Sequence, residues 1–254
     1  TLAIKHNFDI FRGLLKPEVK LLTVVKSNAW GHDIVQFAKE MQKLGTDYIG
    51  VDDAYEAKRL REEGITKPIL IFGYIEEEML PVVLDLGVAV TVSNFNMLER
   101  VVKLKDKNPV FHIKVDTGLG RQGFLEGDME RVVDILKKEN LAPEGLYTHF
   151  SVAEDPARID YTRGQVEKYK KWVKYFNDNG FNPIKHTSAT SGAIWGEELH
   201  FDMVRVGIGL YGLWCSQELK EWDKGRLDLR PIMEWKTIIG EVKDLPKGSF
   251  VGYN

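Results

Sequence analysis

Residues 21–51, "LLTVVKSNAWGHDIVQFAKEMQKLGTDYIGV", contain the unit from which the fold is built. The segment opens on Leu21 to Val25, apolar or β-branched residues that read as a buried strand. Residues 33 to 43 then place Ile34, Phe37, Ala38 and Met41 at helical spacing behind Asp33, a residue type suited to N-capping. A second strand-like run, "YIGV", follows. One residue stands out, because Lys26 sits where the first apolar run stops.

The alternation continues down the chain. Helical spacing recurs over 128 to 138, with Met129, Val132, Val133 and Leu136, and over 165 to 178, with Val166, Tyr169, Val173 and Phe176. Between such stretches lie "PILIFG", "VAVTVS", "VFHIKVD", "GLYTHF", "IKHTSA" and "MVRVGIGLYG". Eight strand candidates alternating with helices fit a (β/α)8 TIM-type barrel better than an open doubly wound sheet. No G-x-G-x-x-G follows an early strand, which counts against a dinucleotide fold. The barrel is expected over residues 1–228. From about residue 230 "MEWKTIIGEVKDLPKGSFVGYN" has β character, a turn at Pro246 to Gly248 and no following helix. Residues 229–254 are therefore read as the start of a truncated, β-rich second domain.

The 254 residues carry 35 basic and 38 acidic side chains, a formal net charge of −3, and 43% are apolar. That length is ample for a large core. The near-balance gives no electrostatic reason to expect nucleic acid or a membrane surface as partner, while a small acidic or phosphorylated ligand stays open. Cys215 is the single cysteine, so the chain forms no internal disulfide and offers no cysteine-based zinc site; no metal is expected. A reducing, cytoplasmic location is the simpler expectation. No apolar run approaches the roughly 18 residues that span a bilayer.

In a parallel barrel, reactive groups gather where strands end and βα loops begin. Lys26 ends one strand; Lys114 and Asp116 end another and lead to Arg121 in "KVDTGLGRQG". His149 ends "LYTHF", Thr187, Ser188, Thr190 and Ser191 fill "HTSATSG", and Arg205 lies in "MVRVGIG". A partly desolvated lysine amine can form a Schiff base with a carbonyl. Glycines and short hydroxyls suit a phosphate, since backbone N–H groups approach it closely. The set is compatible with an aldehyde cofactor bearing a phosphate, for which pyridoxal 5'-phosphate is the obvious candidate. Taken singly, each residue has a plainer reading. Lys26 could be a solvated strand end, His149 a packing residue, Arg121 and Arg205 ion-pair partners, and the run at 187 to 191 a helix-capping turn. His32 and His112 are read as structural.

The segments "VVKSNAWGHD", "HIKVDTGLGRQGF", "GLYTHFSVAED", "HTSATSGAI" and "HFDMVRVGIGLYG" together resemble, in order, five segments of the alanine racemases, pyridoxal-phosphate-dependent isomerases. The resemblance covers nearly the whole chain. It implies that Lys26 holds the cofactor as a Schiff base and serves as one of two catalytic bases. Arg121 would reach the cofactor's phenolic oxygen and the substrate carboxylate. Lys114 matches a position often carbamylated in the family, where it orients that arginine. His149 would pack beside the pyridine ring and support Arg205, which would point at the pyridine nitrogen, and Ser191, Gly207 and Ile208 would bind the phosphate. The second base would be a tyrosine from the C-terminal β domain of a partner subunit in a head-to-tail homodimer. No residue of this sequence is nominated for it, and Tyr253 falls in an earlier segment. The implied activity is interconversion of L- and D-alanine, supplying D-alanine for the peptidoglycan of the cell wall.

Three departures bear on the site. Trp30 stands where the family usually has a tyrosine whose hydroxyl reaches the phosphate, Asp33 replaces a common glycine, and Thr190 a common asparagine. Other readings stay open: a single-domain pyridoxal-phosphate carrier, a racemase of another amino acid such as serine or lysine, and a Schiff-base aldolase without cofactor.

Overall fold

A computed structural model describes residues 2–253. Eight strands form one sheet: β1 Lys20–Val24, β2 Tyr48–Val51, β3 Ile69–Ile71, β4 Ala89–Val92, β5 Phe111–Lys114, β6 Gly145–Tyr147, β7 Ile184–His186 and β8 Met203–Val206. Each is hydrogen-bonded in parallel to its neighbour in the order 7-6-5-4-3-2-1-8. The remaining seam, between β7 and β8, is bridged at its two ends: Asp202 donates its N–H to the Lys185 carbonyl at 2.9 Å, and Arg205 to that of Ser188 at 3.0 Å. The sheet thus closes into the expected barrel.

Helices follow the strands because each outward-facing residue needs apolar cover. α1 (Leu2–Gly13) precedes β1, and α2 (Ile34–Leu44) begins behind Asp33, whose side chain accepts from the N–H groups of Val35 and Gln36. α3 (Ala54–Glu62), α4 (Met79–Asp85), α5 (Phe95–Lys103) and α6 (Met129–Lys138) follow in turn, then α7 (Ile159–Asp178), α8 (Thr190–Trp195) and α9 (Gln217–Asp223). With a two-residue strand period, Ile113 and Leu146 face the helices, while Leu22, Tyr48, Leu70, Ala89 and Met203 pack together as a separate cluster. That cluster is the apolar plug at one end of the barrel interior.

The strands stop earlier than their apolar patterns. In "MVRVGIGLYG" β8 ends at Val206, and Ile208–Tyr211 turns into a 3-10 helix. Gly209 permits this turn to lie against α1, since a Cβ there would fall 2.2 Å from the Phe11 ring. α7 begins earlier than its apolar spacing suggests, because Asp155 caps the 3-10 turn Pro156–Arg158 that leads into it. Residues 231–253 contain no helix or strand among the described residues, and Trp235, Ile238, Ile239, Val242, Phe250 and Val251 are exposed. Their β-like pattern finds no partner strand within residues 2–253.

Candidate active site

The chain leaves β1 through an unusual turn. Ser27, Asn28, Ala29 and Trp30 all have φ between 49° and 58°, so Lys26–Trp30 makes one left-handed helical turn without a glycine. Such a conformation costs roughly 1–2 kcal/mol per residue. Its compensation comes from distant residues. The Glu56 carboxylate accepts from the Asn28 N–H at 3.0 Å and from the Asp52 N–H at 2.9 Å. Asn28 Oδ1 accepts from the N–H of Ile34 at 3.1 Å, and Ala29 is fully buried. The turn sets Lys26 at the rim, where its Nζ donates to Asp52 Oδ1 at 2.9 Å.

A cavity of about 420 Å³ opens at this end of the barrel. Lys26, Trp30, Lys114, Arg121, His149, Ser191, Arg205, Gly207 and Ile208 all line it. Those nine residues therefore meet in one place, and Thr190 joins them, whereas Asp116, Thr187 and Ser188, also picked out at strand ends, do not line the cavity. A larger hollow, about 630 Å³, lies where the strands begin. Two of its lysines are already paired, Lys16 with Glu197 at 2.7 Å and Lys185 with Asp202 at 3.2 Å.

The floor of the rim cavity is rigid. Arg205, 4% exposed, donates from NH2 to the Thr148 and Thr187 carbonyls, both at 2.9 Å, and to His149 Nδ1 at 3.3 Å. Its NH1 donates to His186 Nδ1 at 2.8 Å. Among the described residues no acceptor lies within hydrogen-bond reach of its Nε. Burial pulls the guanidinium down to about 10, which still leaves it protonated near neutrality. Burial, with Arg205 and Arg121 nearby, pushes the His149 imidazole down to about 3, so that ring is neutral. It must accept from Arg205, since an arginine only donates. The Tyr147 ring lies 5.1 Å below the guanidinium, and its hydroxyl pairs with Thr91 at 2.8 Å.

Lys114 is 3% exposed and donates to Gln122 Oε1 at 3.0 Å. Burial, reinforced by the charges of Arg121 and Arg205, lowers its ammonium to about 8. A sizeable fraction is then a neutral amine at mildly alkaline pH, the form that can react with carbon dioxide. Arg121 is exposed at the mouth on the loop after β5. That loop is held by Asp116, whose carboxylate accepts from the N–H groups of Gly118, Leu119 and Gly120 at 2.8–2.9 Å.

At the opposite wall Ser191 lies in the first turn of α8, and Ile208 opens the 3-10 turn after β8. Thr190 Oγ1 accepts from the Gly207 N–H at 3.2 Å and the Gly209 N–H at 3.4 Å, tying these two elements together. The Trp30 indole closes this wall, tilted against Tyr211 at 4.7 Å. His32 behaves as a structural residue, with Nδ1 2.9 Å from the Ala29 carbonyl oxygen.

Several residues were not singled out from the sequence. Asp52, directly after "YIGV", follows the same strand-end rule that picked out Lys26 and was visible by that signal. His186, at the end of β7, likewise precedes the polar run at 187 to 191. Glu56 had no local signal, because its partners lie 28 and 4 residues away.

Fold and site together define a parallel (β/α)8 barrel with two lysines, two arginines and a small-residue wall around one cavity. A family profile of the alanine racemase N-terminal domain matches residues 1–214. Alanine racemase of Methanococcus maripaludis is 37% identical over 99% of this chain, which covers 68% of that protein. Alanine racemase 1 of Caldanaerobacter subterraneus subsp. tengcongensis is 34% identical, with 99% of this chain and 65% of the relative covered. In three dimensions, alanine racemase of Clostridium difficile 630 superposes with a TM-score of 0.83 at 30% identity, over 90% of this chain and 60% of that one. The Bacillus anthracis enzyme with bound L-Ala-P gives 0.82 at 31%, over 90% and 60%. The chain belongs to the alanine racemase family, and spans about two thirds or less of the length of these relatives. Among the described residues no helix is long and apolar enough to cross a membrane.

Proposed function

We propose that this chain is the cofactor-binding barrel of an alanine racemase, which uses pyridoxal 5'-phosphate to interconvert L- and D-alanine and so supplies D-alanine for the cell wall. The observation that carries the reading is the convergence of Lys26, Arg121, His149, Ser191, Arg205, Gly207 and Ile208 on one cavity. The donor set fits the cofactor: a primary amine on one side, hydroxyl and backbone N–H groups on the other, and a buried guanidinium with a spare N–H beneath.

Lys26 would hold the cofactor covalently through Nζ, with Ser191, Gly207 and Ile208 at its phosphate. Arg205 would donate to the ring nitrogen. When bound, the cofactor supplies an electron sink for the pair left at the substrate Cα. Because an arginine does not give up its proton, Arg205 would only donate to that nitrogen, which would moderate the sink and favour prompt return of a proton to Cα. The Lys26 amine would remove or return the Cα proton on its own face. Arg121, exposed at the mouth, would bind the substrate carboxylate, and Lys114, as carbamate, would steady it. Racemisation requires a second acid/base group on the opposite face. We assign it to a β-rich domain of a partner subunit in a cytoplasmic homodimer, a domain to which residues 229–254 would contribute the first strands, after the barrel of residues 1–228.

The test is exchange at Cα. In D2O, the protein loaded with pyridoxal 5'-phosphate should catalyse loss of the α-proton of alanine, followed by NMR, and Lys26→Ala should not. Loading without exchange of alanine would contradict the assignment and favour a carrier role.

A further inference from the structure

Barrel interiors are usually filled by branched apolar side chains. Here a column of polar groups runs through the interior beneath the cavity. Below Arg205, His186 Nε2 lies 2.9 Å from His112 Nδ1, and His112 Nε2 lies 3.0 Å from Glu144 Oε2. Both imidazoles are fully buried, while Glu144 stands just before β6 at the far end of the strands, its side chain 35% exposed.

The direction of every bond follows by elimination. Arg205 can only donate, so His186 Nδ1 accepts. Burial, with the charge of Arg205, pushes His186 well below the ordinary histidine range, so its one proton is on Nε2. His112 Nδ1 therefore accepts from His186, and its own proton sits on Nε2, donated to Glu144. Burial works to raise the Glu144 carboxyl, but the hydrogen bond from His112 and the contact with Tyr48 bring it below the usual carboxylate range. All donors thus point from Arg205 toward one carboxylate. The surrounding packing is shaped for this arrangement. A Cβ on Gly145 would fall 2.1 Å from His112 Nδ1, and the Tyr147 ring stacks on His186 at 4.7 Å and 11°.

We propose that Glu144 is a remote positioning residue that sets the donor strength of Arg205 through His112 and His186. Its charge polarises the two imidazoles in series, strengthens the lone pair His186 offers to Arg205, and draws the guanidinium down toward the barrel interior. Through this relay a residue at the opposite end of the barrel tunes the group facing the cofactor ring. The consequence for the cofactor rests on the reading of Arg205 given above; the relay itself does not.

The test compares wild type with Glu144→Gln, whose amide oxygen can still accept from His112 but carries no charge, and with Tyr48→Phe, which removes a neighbour of Glu144 and keeps the charge. Nitrogen-15 spectra of the cofactor-free protein should show the Nε2–H tautomer for both histidines in wild type. Glu144→Gln should shift the His186 Nδ1 and Arg205 side-chain resonances, and Tyr48→Phe should leave Arg205 in place. In a His112→Phe background, Glu144→Gln should produce no further shift at Arg205. An Arg205 resonance identical in wild type and Glu144→Gln overturns the proposal, and so does a shift that persists without His112. In the loaded protein Glu144→Gln should displace the visible absorption band. If Arg205 shifts in the cofactor-free protein and that band stays fixed, the relay stands and the placement of Arg205 against the cofactor ring fails.

Discussion

Arg205 and Arg121 carry the same guanidinium and border the same cavity, yet one is buried and the other exposed. Arg205 is buried at 4% exposure and tied to two carbonyls and two histidines, whereas Arg121 is exposed on a loop. The same division separates whole walls of the site. The floor is built from strand interiors and cannot move without disturbing the core. The mouth, with Lys26, Asp52 and Arg121, is held by surface-type bonds.

The division can be broken from either side. Arg205→Leu should cost most, about 3 kcal/mol of stability by urea denaturation, because it leaves His186 and two buried carbonyls without donors. Glu56→Ala should cost about 1–2 kcal/mol, since it releases the N–H groups of Asn28 and Asp52 and the left-handed turn they hold. That variant should also weaken loading of Lys26, read by absorbance titration.

Lys114 gives a pH signature. With its folded value near 8, below the ordinary 10.5, the unfolded chain takes up this proton first as pH falls. The stability contribution is therefore full above about 10.5 and is lost as pH falls through about 8. Urea midpoints between pH 8 and 10 should rise more steeply, or fall less, in wild type than in Lys114→Met. Lys26→Ala should change stability by under about 1 kcal/mol, because its ion pair with Asp52 is half-exposed, while abolishing covalent loading. The smallest effect is expected at Trp30→Tyr, where a hydroxyl at the phosphate wall should tighten cofactor binding about threefold. Unchanged or weaker affinity would mean that the phosphate is held without a group at this position.

The barrel was legible because its signals are local: apolar runs, helical spacing and strand-end polar residues all lie within a few residues of each other. Lys26, Lys114, His149 and Arg205 could be read by that rule. The conformation of the turn after Lys26 could not, because Ser27 to Trp30 have no intrinsic reason to be left-handed; Glu56 and the packing of Ala29 impose it. The histidine column was equally hidden. His112 looked structural on its own, and its partners lie 32 and 74 residues away. Strand lengths were overread where "GIGLYG" remains apolar but must turn to close the cavity wall.

The central claim is that the Lys26 amine carries the cofactor at the barrel rim. It is tested most directly by loading the protein with pyridoxal 5'-phosphate, reducing with borohydride and mapping the adduct by peptide mass spectrometry. One pyridoxyl group on the peptide containing Lys26, absent from Lys26→Ala, is the predicted result. An adduct on another lysine, or none after loading, would contradict the account.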